Sequence, residues 1–81
     1  MSQDYVNPHD IVVPAEHAER RPSRSLLRIL ARDGQIVPLL VTRLDGRYVT
    51  ADTWQSERVL ALRELGWPTV LVEDEWTEDD L

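Results

Sequence analysis

Residues 23–65 read SRSLLRILARDG, QIVPLLVTRLDGRYVTAD and TWQSERVLALREL, and this stretch decides the fold. Its first segment places Leu26, Leu27, Ile29 and Leu30 in one apolar stripe, with Arg24, Arg28 and Arg32 on another side of a helix. Ser23 or Ser25 can cap that helix, and Gly34 fits the left-handed position that stops it. Residues 35–42 are nearly all apolar, the pattern of a strand covered on both faces, although Pro38 removes one ladder donor. Asp45-Gly46 is a two-residue hairpin signal, and residues 48–50 form the returning strand. A second helix follows at once. Asp52 can cap it, Gln55 completes a capping box, and Val59, Leu62 and Leu65, flanked by Trp54, Leu60 and Ala61, supply its buried stripe. A helix that starts at a strand's end presents free backbone N–H groups, a natural cradle for an anion or phosphate. The candidate ligand site is therefore the stretch 52–58.

Working outward, Gly66 ends the second helix, Pro68 bars its continuation, and residues 69–72 (TVLV) read as a further apolar strand. On the other side, Ile11-Val12-Val13 closed by Pro14 suits an edge strand, and residues 15–22 suit a loop or single helical turn. The expected organisation is a flexible N-terminus (1–9), one domain (10–72) and an acidic tail (73–81) whose one apolar anchor is Trp76. The fold class is α+β, a small mixed sheet of about four strands with two main helices.

Composition narrows the function. At 42% hydrophobic and 30% charged over 81 residues, the chain is an ordinary globular domain with a modest core. It has no apolar run of the roughly 20 residues a membrane span needs, and its acidic N-terminus is not a signal peptide, so a cytoplasmic location is expected. The absence of cysteine excludes disulfides, thiol nucleophiles and cysteine-bound zinc. His9 and His17 lie on an exposed-looking stretch without metal-ligand spacing, so no metal is assigned. Net charge is −6, yet Arg20, Arg21, Arg24, Arg28 and Arg32 crowd the first half while acids load the C-terminus. A sequence pI near 4.7 argues against duplex DNA binding by the whole chain.

The order DIVVP, AERRP, LLRILARDG, QIVPLLV, a DG hairpin, YVTAD, SERVLALRELGW and TVLV resembles the ParB N-terminal/sulfiredoxin-fold (ParB-like nuclease domain) family across residues 10–72. In that family the helix after the hairpin opens with a Gly-Glu-Arg-Arg or similar turn that holds nucleotide phosphates. In the ParB branch the domain binds and hydrolyses CTP and serves DNA partition. The resemblance places Arg58 on the last arginine of that turn, with Gln55, Ser56 and Glu57 at the glycine, the acid and the first arginine. Gln55 then puts a side chain where glycine allows close approach, and Glu57 puts a negative charge where a positive one would meet the ligand. The turn is degenerate. Sulfiredoxin chemistry needs a cysteine there, and the ParB helix-turn-helix region has no counterpart in these residues.

The resulting expectation is a non-catalytic protein-interaction or regulatory adaptor that suits a phage or plasmid, with another protein as partner and a degenerate nucleotide site. Arg24, Arg28, Arg32 and Trp76 are the contact candidates. The alternative is a CTP or ATP phosphate-binding module. There Thr53, Gln55, Ser56, Glu57 and Arg58 surround the phosphate, and Arg20 or Arg21 closes over it. No catalytic residue is assigned, since only Asp52 and Glu57 stand near each other and Asp52 is explained as a cap.

Overall fold

The computed structural model describes residues 2–19, 21–35 and 37–74. In chain order these form strand β1 (Ser2–Val6), a 3-10 turn (Pro8–Asp10), and helices α1 (Ala15–Ala18) and α2 (Arg24–Asp33). Strands β2 (Leu39–Leu44) and β3 (Arg47–Thr50), helix α3 (Thr53–Glu64) and strand β4 (Val70–Asp74) follow. The strands make one mixed sheet in the order β1-β4-β2-β3, with β4 and β2 parallel and both outer pairs antiparallel. The architecture is α+β, as the sequence pattern implies. The parallel pair needs a long crossover, and the β3 hairpin with α3 provides it. Asp45 (φ 50°) and Gly46 (φ 76°) both adopt positive φ, which a type I′ hairpin turn demands of its two central residues.

The chain before residue 11 departs from expectation. Rather than hanging loose, residues 2–6 pair with β4, from Ser2 opposite Asp74 to Val6 opposite Val70. This edge strand carries no apolar signature because Gln3, Asp4 and Tyr5 face solvent; backbone pairing holds it. The strand expected at residues 11–13 shrinks to a single parallel bridge. Val12 N–H donates to Tyr48 O at 2.8 Å and Thr50 N–H donates to Val12 O at 3.1 Å, while Ile11 beside it enters the core. β2 begins only after Pro38. Upstream, the Gln35 carboxamide stands in for a peptide group, donating to Leu71 O and accepting from Leu71 N–H, both at 2.7 Å. At the other end β4 runs into the expected acidic tail and buries Asp74; residues 75–81, Trp76 among them, lie outside the described residues.

Ile11, Leu30, Leu39, Val41, Val59, Ala61, Leu62, Val70 and Val72 make the core, with Leu26, Leu27, Tyr48, Leu65 and Trp67 packed at its border. Ser23 caps α2, its Oγ accepting from Leu26 N–H at 3.1 Å. Ile29, expected on the buried stripe, is exposed instead. α3 stops in the Schellman manner, Trp67 N–H donating back to Leu62 O at 3.2 Å. The Trp67 ring then reaches the end of α2, where a Cβ on Gly34 would stand 3.4 Å from the ring edge.

Candidate functional site

The start of α3 is built as a cap and then filled from outside. Asp52 is extended, and its Oδ1 accepts from Gln55 N–H at 2.8 Å, one of the first-turn donors. The reciprocal half of the expected capping box does not form. Gln55 is buried, and its Oε1 accepts from Leu40 N–H at 3.2 Å, tying the helix to β2. Ser56 is fully buried, with Oγ 2.6 Å from Thr50 Oγ1 and 3.0 Å from His17 Nδ1. The other imidazole nitrogen, Nε2, lies 3.1 Å from Thr53 Oγ1. Hydroxyls both donate and accept, so the chain Thr50–Ser56–His17–Thr53 is satisfied with the proton on either ring nitrogen. His17 is therefore not the exposed residue the sequence suggests: it projects from α1 onto the first turn of α3. The spacing Ser56–Val59–Arg63, or Gln55–Val59–Leu62, is the signal that marks these polar residues as part of the inward face.

Of the remaining candidates, Glu57 turns towards α2. Its Oε1 accepts from Ser23 N–H at 3.1 Å, so it acts as a tie between helices. Arg58 points the other way, into a groove between α2 and α3 lined by Leu26, Ile29, Leu30, Gly34, Val37 and Trp54. Burial lowers its pKa from the ordinary arginine value, and among the described residues it has no hydrogen bond or ion pair. The guanidinium that does sit over an aromatic ring is Arg43, 5.6 Å from the Tyr48 centroid. Arg21, Arg24, Arg28 and Arg32 are exposed, and Arg32 pairs with its neighbour Asp33 at 3.0 Å, which raises its pKa. Arg20 and Trp76 lie outside the described residues. The structure thus gathers Thr53 and Ser56 around His17, and it sends Gln55, Glu57 and Arg58 in three other directions.

A second cleft, of about 690 Å³, lies between the 3-10 turn and β3 and contains Arg63. That side chain donates through Nε to Pro8 O at 3.0 Å and through Nη2 to Ile11 O at 2.6 Å. It clamps the incoming chain under α3, a role nothing in its sequence neighbourhood announces. Among the described residues no group of three or more His, Asp or Glu side chains could hold a metal ion. Among the described residues no helix is long and apolar enough to cross a membrane.

Sheet order, helix placement and the strand-to-helix turn define a ParB/sulfiredoxin-like fold. Sulfiredoxin from Arabidopsis thaliana is similar with a TM-score of 0.74 at 19% identity, over 99% of this chain and 91% of that one. A Pnob8-like ParB-N domain is similar with a TM-score of 0.67 at 21% identity, over 98% of this chain but only 32% of that one. No family model and no curated protein sequence matches the chain. At such identities the likeness establishes the fold, and function has to be argued from the site.

Proposed function

We propose that this chain is a non-catalytic protein-interaction or regulatory adaptor on a ParB/sulfiredoxin-like fold. The observation that supports it is the filled start of α3. The hydroxyls of Thr53 and Ser56 are engaged by His17, and Asp52 holds the Gln55 N–H. A phosphate arriving there would have to displace α1 and would meet Asp52, whose negative charge opposes it. Calorimetric titration with CTP and ATP in the presence of Mg²⁺ tests this: no saturable heat at millimolar nucleotide is expected, and saturable binding overturns it. The phage or plasmid setting rests on the ParB likeness alone. A cytoplasmic location accords with the cysteine-free composition.

One observation favours a second reading, a CTP- or ATP-phosphate module serving DNA partition or nucleic-acid processing. Arg58 is a half-buried guanidinium without a partner among the described residues, in the second turn of the helix whose start phosphates use in ParB-like proteins. On this reading α1 swings away, Arg58 meets the phosphate, and Arg20 or Arg21 closes over it. Nucleotide binding that disappears in Arg58→Ala would decide in its favour.

A further inference from the structure

The groove between α2 and α3 has features the fold does not need. Five large apolar side chains are exposed among the described residues, Tyr5, Ile29, Val37, Leu44 and Trp54, and three of them meet here. Ile29, Val37 and Trp54, 45%, 48% and 59% exposed, line a groove of about 320 Å³. Exposed apolar residues scattered singly need no explanation, but gathered at one concavity they mark a contact surface. Among the described residues Arg58 is the one charged residue that lines it. Among the described residues no acid lines the groove, although the chain has 15 Asp and Glu against 9 basic residues. A guanidinium partly withdrawn from water into apolar walls is costly until an anion meets it.

We propose that this groove docks an acidic peptide segment of a partner protein. One large apolar side chain of that segment seats against Ile29, Val37 and Trp54, and an adjacent carboxylate pairs with Arg58. The proposal deepens the adaptor reading and rests on it. Charge selects the occupant: a neutral or basic apolar segment would leave Arg58 unmatched. On α2, Arg32 is the i+3 neighbour of Ile29 but pairs with Asp33 at 3.0 Å, so Arg58 is the cation that selects the occupant. Aromatic and arginine anchors in partly desolvated pockets are the side chains that carry binding energy in protein interfaces.

The test uses the full chain and a labelled synthetic peptide EWTEDDL, the sequence of residues 75–81, which sets a tryptophan among acids. Fluorescence anisotropy should show saturable binding. Arg58→Gln should weaken it about tenfold or more, the effect of losing one charge-assisted hydrogen bond. Ile29→Asp and a peptide with its acids replaced by amides should weaken it comparably, with circular dichroism of the variants unchanged. Binding seen only with Trp76→Ala protein would mean that the chain's own residues 75–81 occupy the groove, which overturns a partner's segment as its occupant. No saturable binding to either protein at millimolar peptide overturns the proposal. Binding that ignores Arg58→Gln and Ile29→Asp overturns the groove while leaving the adaptor reading intact. Displacement of the peptide by CTP overturns both.

Discussion

Gln55 and Ser56 on one side of α3, and Trp54 and Arg58 on the other, are near neighbours in sequence with opposite surroundings. The inner pair is polar and buried, and its side-chain hydrogen bonds tie the helix to β2, β3 and α1. The outer pair is a large aromatic left in solvent and a cation held among apolar side chains. This inverts the usual partition, in which apolar side chains go in and polar ones out. Buried polar groups must be satisfied for the fold to stand, so the inner pair belongs to stability. The outer pair's side chains make no hydrogen bond or ion pair among the described residues, so their presence asks for a use outside the fold.

Four substitutions can break or sharpen that contrast. The largest effect sets the scale: Leu62→Ala, at a fully buried site, should cost about 2–5 kcal/mol in urea unfolding with the slope unchanged. Next, Gln55→Leu strands the Leu40 N–H and should cost about 1–3 kcal/mol, with faster hydrogen exchange at that amide. His17→Ala removes the bridge between Ser56 and Thr53 and should cost about 1 kcal/mol. It should also loosen α1, read as earlier proteolysis near Arg21. Smallest of all, Arg58→Gln should change stability by no more than about 0.5 kcal/mol in either direction. An Arg58→Gln cost as large as that of Gln55→Leu would erase the distinction between the two sides.

Much of the fold was legible because local chemistry and tertiary structure agree. The Ser23 and Asp52 caps, the Asp45-Gly46 turn and the Gly66-Trp67 stop all sit where residue type alone puts them. The misreadings share one cause. β1 is a polar edge strand held by backbone pairing, so its side chains say nothing, while Ile11 and Val13 look like a strand because the first is buried and the second half-buried beside one. The site was less legible still. Thr53, Ser56 and Gln55 were identified as important positions, but which way each turns depends on partners 15 to 39 residues away in the chain, as with Leu40 and His17.

From its residues alone, this chain determined two capped helices, a tight hairpin, apolar strands and a helix springing directly from a strand, because each depends on contacts within a few positions. Only the tertiary structure decided that His17 fills the start of that helix, that Gln55 and Glu57 serve the scaffold, and that Arg58 shares a groove with Ile29, Val37 and Trp54. Those outcomes turn on which distant groups satisfy a buried donor or shield an apolar surface, and a linear pattern of residue types does not record distance in space.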